Sequence, residues 1–244
     1  MSKHNCFSTD CTLCPRLAAF LQGVRTEHPD YYALPVAPFG DERPKLLIVG
    51  LAPGMHGANR TGRPFTGDHA GILLYHTLHR FGWANQSEST RLGDGLRLIG
   101  CRITNAVKCL PPQNKPERME VRACNPYLAQ EIASLPASAG ILALGTVAHE
   151  AVLMALDLPA KSYKFAHGAV HELMSSGLTP NKHALGTERA LTHLKDVPTF
   201  PCGLRLYDSY HCSRYNTQTK RLTAAMFEAV FARIKADQGG TTVG

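Results

Sequence analysis

Apolar residues gather in four short runs along the chain, each followed by a polar or glycine-rich stretch. Residues 45–49 (KLLIV) are nearly all apolar and lead into Gly-Leu-Ala-Pro-Gly, the pattern of a strand buried on both faces that feeds a loop. Residues 101–107 (CRITNAV), 140–144 (GILAL) and 204–207 (LRLY) predict three more strands. Between these runs the spacing lengthens to that of a helix. Residues 69–81 carry Ile72, Leu73, Tyr75, His76 and Leu78 at helical intervals, and 117–135, 145–156 and 219–236 also read as helices. Residues 1–40 read as irregular, 159–203 as a long excursion rich in His, Pro and Lys, and the tail GGTTVG as frayed.

Alternating strands and helices predict an α/β protein, a three-layer α/β/α sandwich around a central, mostly parallel four-stranded sheet. No internal repeat and no second domain are visible, so residues 1–244 are expected to form one domain, with 1–40 as its leader. In such sheets the working loops lie at the carboxyl ends of the strands. Three unusual segments fall there: GLAPGMHGANRTGRPFTGD after the first strand, KCLPPQNKP after the second and DSYHCSRYN after the fourth. Distant parts of the chain therefore converge on one crevice, and this is the main argument for an active site.

Composition narrows the class. Lys and Arg outnumber Asp and Glu 26 to 19, a formal charge of +7 that suits a polyanionic partner. No run reaches the roughly 18 apolar residues of a membrane span, and the first residues lack a signal-peptide core. A cytoplasmic protein without a membrane partner is expected, acting as a monomer. Its eight cysteines then stay reduced or bind metal, because disulfides are rare in the cytosol.

Cys11 and Cys14 form a C-x-x-C pair in a polar leader, where two thiols have little packing reason to exist. Cys109 and Cys124 follow the second strand. Four thiolates can hold zinc or an iron–sulfur cluster, and the spacing leaves both open. Cys6, Cys11 and Cys14 also make C-x4-C-x2-C, the start of a plant-type ferredoxin spacing. Cys101, Cys202 and Cys212 read as buried or loop thiols.

The three loops carry the candidate chemistry. Gly50, Gly54, Gly57, Gly62 and Gly67 let the backbone bend and approach a ligand closely. The segment is neither G-x-G-x-x-G nor a P-loop, which removes support for nucleoside-triphosphate chemistry. It offers Phe65 to stack on a flat base, Asp68 to position water or cap the next helix, and Arg60 and Arg63 to hold phosphates. Asn105 is a polar amide inside an apolar strand, and its donor and acceptor match the edge of a pyrimidine. His211 stands past the fourth strand, placed to donate a hydrogen bond to an oxygen that gains charge as a base departs. Ser213, Arg214 and Asn216 behind it can meet phosphates, and Arg214 and Tyr215 are candidates for insertion into a duplex.

These residues carry a family likeness. The first loop, ITNAVKCLPPQNKP and SYHCSRYN resemble the uracil-DNA glycosylase superfamily, best its family 5, the iron–sulfur type of bacteria and archaea, from Cys11 to about Leu222. The resemblance implies a [4Fe–4S] cluster on Cys11, Cys14, Cys109 and Cys124. It implies a uracil pocket made by the backbone at Leu51 and Ala52, by Phe65, Asn105 and His211, with Gly54 in the same loop. It implies excision of uracil, and of hypoxanthine or other deaminated bases, from double-stranded and also single-stranded DNA. Leu51 and Ala52 stand where many superfamily members have a polar residue, so the water-positioning role passes to Asp68. Cys212 stands where many have proline. No lysine is placed to attack the sugar, which predicts a glycosylase without lyase action. The rival readings are a non-catalytic nucleic-acid-binding protein with a structural cluster and a zinc-bound hydrolase of a small nucleotide.

Overall fold

The computed structural model describes residues 7–173 and 200–239. In chain order its strands and α-helices are α1 (Pro15–Glu27), β1 (Phe39–Gly40), β2 (Leu46–Gly50), α2 (Ala58–Thr61), α3 (His69–Arg80), β3 (Cys101–Asn105), α4 (Arg118–Ala133), β4 (Gly140–Leu144), α5 (Thr146–Ala155), β5 (Val170–Glu172), β6 (Arg205–Ser209), α6 (Arg214–Gln218) and α7 (Ala224–Gly239). The strands form one sheet in the order β1-β3-β2-β4-β6-β5. β3, β2, β4 and β6 run parallel, with Leu46 opposite Cys101 and Gly140, and Leu144 opposite Ser209.

The period-2 alternation of the strands makes the layers. Leu47, Val49, Ile141, Ala143 and Leu206 enter one apolar cluster with α1, α4 and α5. Leu46, Ile48, Leu142, Leu144 and Tyr207 enter the other, with α3 and α7. Every residue of β2 and β4 is buried, which is why those runs carry no alternation of polarity.

The α/β/α sandwich and its mostly parallel sheet are as expected, but the sheet has six strands among the described residues rather than four. The two additions, β1 and β5, are antiparallel edges of two and three residues. They are too short to show a period and are set by the strand each one joins. The leader is not irregular throughout. Pro15 begins α1, and Leu17, Leu21 and Val24 bury one face of it against the sheet. The closing helix starts at Ala224, five residues later than its pattern indicates, because the separate turn α6 precedes it. Most of the 159–203 excursion, Cys6 and the last five residues lie outside the described residues.

The topology fixes where a ligand can enter. From β2 the chain goes to β3 on one side, then crosses to β4 on the other, so the loops part around the carboxyl end of β2. The loops after β2, β3 and β6 all open at that end.

Candidate active site

A cavity of about 450 Å³ opens at this switch point. Leu51, Ala52, Gly54, Phe65 and Asp68 of the first loop line it together with Asn105, His211 and Ser213. The three loops are thus brought to one place. Asn216 does not reach the cavity. Its amide Nδ2 donates to the His211 carbonyl at 2.8 Å, so it buttresses the histidine from behind.

Glycine makes the close packing possible. Gly50 pairs with Asn105 across β2 and β3. A β-carbon on Gly50 would strike the Asn105 Oδ1 and would stand 2.7 Å from Cζ of Phe65. Phe65 itself is held at φ 53°, a left-handed conformation rare for an aromatic residue. Its ring lies 5.8 Å from the His211 ring, 27° from parallel. The two make adjacent walls of the cavity.

Asn105 is buried, and among the described residues its Oδ1 has no hydrogen-bond partner. Leaving a buried acceptor unpaired costs about 1–3 kcal/mol, so such an atom calls for a ligand. Asp68 caps α3, with Oδ1 accepting from the Gly71 amide at 2.9 Å. Its Oδ2 lies against Gly57, whose missing side chain leaves the room. Both roles expected for Asp68, helix cap and cavity residue, are therefore compatible in one geometry. Burial raises its pKa, against the lowering effect of the cap hydrogen bonds. Burial pushes the pKa of His211 down to about 4, so its imidazole is neutral at neutral pH and can donate from one nitrogen.

One expected phosphate contact falls elsewhere. Arg63 is buried and pairs with Asp94 at 2.9 Å, with Ser89 also at 2.9 Å, under the Phe39 ring. It fastens the glycine-rich loop to the 89–94 turn and is not available to DNA. Arg60 is exposed and keeps the role open. His69, Ala70 and Asn114 also line the cavity and went unnoticed in the sequence. Asn114 and its neighbour Gln113 have positive φ, which turns that loop inward; the Asn in the segment PPQNKP was the available signal, since Asn tolerates this region.

The four selected cysteines also converge. Cys14 sits at the N-cap of α1, Cys109 follows β3 and Cys124 lies on α4. With Cys11 they line one small cavity closed by Phe7, Leu17 and Tyr127. Burial, then the neighbouring cysteines, pushes the Cys109 pKa up to about 12; burial pushes Cys124 up to about 11. As thiolates they would repel one another, and a bound cation would favour their ionised form. The Lys108 amide donates to the Cys124 sulfur at 3.3 Å, and the Tyr127 hydroxyl lies 3.5 Å from the Cys11 sulfur. This donor set fits a metal centre. Cys101 and Cys212 are buried elsewhere and Cys202 is exposed, as expected.

Fold and crevice together define an α/β protein with a concave, largely apolar cavity at the strand ends, into which Asp68, Asn105 and His211 bring polar groups. The family model of the uracil DNA glycosylase superfamily matches residues 37–235, and the chain belongs to that superfamily. It is 41% identical over 232 residues to the type-5 uracil-DNA glycosylase of Thermus thermophilus, covering 93% of each chain. It is 35% identical to the type-5 uracil-DNA glycosylase of Pyrobaculum aerophilum, over 94% of this chain and 90% of that one. The type-4 uracil-DNA glycosylase of the same organism is 36% identical over 140 residues, 57% of this chain and 63% of that one.

Proposed function

We propose that this protein removes uracil from DNA by hydrolysing the N-glycosidic bond, leaving an abasic site for base excision repair. The observation that carries the reading is Asn105, a buried amide with an unpaired oxygen at the wall of a base-sized cavity. The target nucleotide is extruded from the stack and its base enters this cavity. Phe65 offers a face for stacking, and Asn105 hydrogen-bonds the base edge. As the glycosidic bond lengthens, negative charge gathers on the base. The neutral His211 ring and the main chain at Leu51 and Ala52 stabilise that charge. Asp68, its pKa raised by burial, holds the attacking water and takes its proton. Among the described residues no lysine lines the cavity, which supports attack on the sugar by water and not by an amine.

Duplex DNA is the proposed substrate, with single strands and other deaminated bases also accepted, bound by one copy of the chain in the cytoplasm. Among the described residues no helix is long and apolar enough to cross a membrane. For the metal we propose a [4Fe–4S] cluster on Cys11, Cys14, Cys109 and Cys124. The four cysteines line one small cavity, a donor set that zinc or an iron–sulfur cluster can take, and the likeness to the iron–sulfur type of the superfamily favours the cluster. Held by these residues, the cluster would brace the leader against the sheet, and no redox step is assigned to it. Iron and sulfide analysis of the purified protein tests it, with a brown colour expected; a colourless protein carrying zinc would contradict the cluster.

Purified protein on matched duplexes holding uracil, hypoxanthine or xanthine tests the activity. Alkali-labile strand breaks at uracil are expected, greatly reduced in Asn105→Ala. Binding without breaks would favour the non-catalytic reading instead.

A further inference from the structure

The stretch between α5 and β5 takes no part in the crevice, yet its side chains grip the strand that leads to His211. Asp208, on β6 and three residues before His211, is fully buried. Its Oδ1 lies 2.7 Å from Nδ1 of His149 on α5, and its Oδ2 lies 3.1 Å from Nε2 of His171 on β5. The other ring nitrogen of His149 lies 2.9 Å from the Tyr163 carbonyl. Both nitrogens of His149 thus face acceptors, so the ring is an imidazolium donating to each. Burial alone would lower the pKa of His149, but the bond to Asp208 outweighs it and raises it. This ion pair anchors residues 163–172 onto β6.

The anchored segment delivers His167. The Tyr210 amide donates to Nδ1 of His167 at 3.2 Å, and the two rings stack at 5.0 Å, 16° from parallel. Because Nδ1 accepts from the Tyr210 amide, it carries the lone pair and Nε2 the proton. The backbone of Met226 on α7 also faces the His167 ring. Tyr210 immediately precedes His211, so the amide that His167 holds sits at the root of the histidine facing the cavity.

We propose that His167 is a positioning residue for His211, holding the Tyr210 amide so that the imidazole meets the departing base. The proposal rests on the uracil-excision reading for its kinetics but not for its geometry. The groups facing His167 are the Tyr210 ring and amide, the Ser209 hydroxyl at 3.5 Å, and the Met226 backbone. The Arg221 guanidinium stands 4.7 Å from the Tyr210 ring centroid, and Asp208 is already held by His149 and His171. Protonating Nδ1 would remove the acceptor of the Tyr210 amide and set a second cation against the ring that Arg221 already covers. Burial lowers the pKa of His167 from 6.5, so the contact is intact at neutral pH and is lost in acid.

The test compares His167→Leu, which removes the acceptor, with His167→Asn, whose side-chain oxygen replaces it without titrating. In single-turnover excision from a uracil duplex, His167→Leu is expected to be about 10- to 100-fold slower with DNA affinity unchanged. His167→Asn is expected to recover most of the rate and to lose the part of the acid limb that His167 contributes. An unimpaired rate in His167→Leu, or an unmoved acid limb in His167→Asn, would overturn the proposal. The ring ¹⁵N–¹H signals of His211 in the protein without DNA are expected to move in His167→Leu and return in His167→Asn. Signals fixed in all three proteins would also overturn it. If the wild type cut no uracil, the excision reading would fall, and the His211 signals would still decide the contact.

Discussion

Two groups of polar side chains lie at the same end of the sheet, three residues apart along the chain where β6 ends, and they are built on opposite rules. Around Asp208 every partner is present: His149, His171 and the Ala166 amide reach its two oxygens, and the Tyr163 carbonyl completes His149. In the crevice the partners are missing. The Asn105 Oδ1 is buried and unpaired, and the His211 ring has no hydrogen bond among the described residues. A polar cluster that satisfies itself has nothing left for a ligand, so it contributes to the fold. A cluster left open is held by the fold for something that arrives later. The contrast separates structure from function without appeal to residue type, since both groups contain a histidine.

The largest effect that would break this contrast is on stability. Asp208→Asn leaves the His149 imidazolium buried without its counter-charge, which is expected to cost about 3–5 kcal/mol. Asn105→Ala removes an atom with no partner and should cost far less. Urea denaturation of the two variants measures both, and equal losses would mean that the crevice is as self-satisfied as the Asp208 cluster.

Next in size is catalysis. Removing a donor to a developing anion costs roughly 2.7–4 kcal/mol of barrier, so His211→Ala should slow single-turnover excision by about 10²–10³-fold. The same variant should keep its urea midpoint near that of the wild type. An unchanged excision rate would take the histidine out of the chemistry.

Much of this was legible in the sequence, for reasons visible in particular residues. The runs holding Ile48, Ile103, Leu142 and Leu206 are buried on the sheet, and burial leaves a continuous apolar signature. Phe65, Asp68, Asn105 and His211 were found because the topology sends the loops after parallel strands to one end. What was missed depends on contacts between distant positions. Arg63 reads as a free cation until Asp94, thirty-one residues on, is seen beside it. Asp208 and His149 are fifty-nine residues apart and carry no spacing motif. The helix α1 is a different kind of miss, because Pro15 and the Leu17, Leu21, Val24 interval were there to be read.

A smaller effect separates the clusters by pH. The pKa of His149 is raised in the folded protein, so its contribution to stability is complete below the unfolded value near 6.5 and fades as pH rises through the folded value. His211 behaves in the opposite sense. Its folded pKa is lowered to about 4, so folding favours the neutral ring, and its penalty grows as pH falls from 6.5 toward 4. His149→Gln should therefore flatten the alkaline side of the stability profile, and His211→Gln the acid side. Denaturation midpoints between pH 4 and 9 check both, and an exchange of the two sides would reverse the charge states argued above.

The smallest effect applies the same rule to two arginines of one loop. Arg63 has Asp94 and Ser89 within 2.9 Å, whereas Arg60 donates only to the His56 carbonyl and otherwise faces solvent. The Arg63 Nε is buried without a partner among the described residues, but its charge is paired; if an unpaired charge at the surface marks contact with a polyanion, Arg60 meets a DNA phosphate and Arg63 does not. Arg60→Ala should then weaken DNA binding alike for every sequence and lower the slope of log affinity against log salt by about 1. Arg63→Ala should leave that slope where it is and instead lower the melting temperature, because the Asp94 carboxylate loses its counter-charge and keeps only hydrogen bonds such as those from the Thr90, Arg91 and Leu96 amides. Titrations at several salt concentrations separate the two. A slope reduced by Arg63→Ala and not by Arg60→Ala would mean that the ion pair opens on binding DNA, and that satisfaction in the protein alone does not tell structure from function.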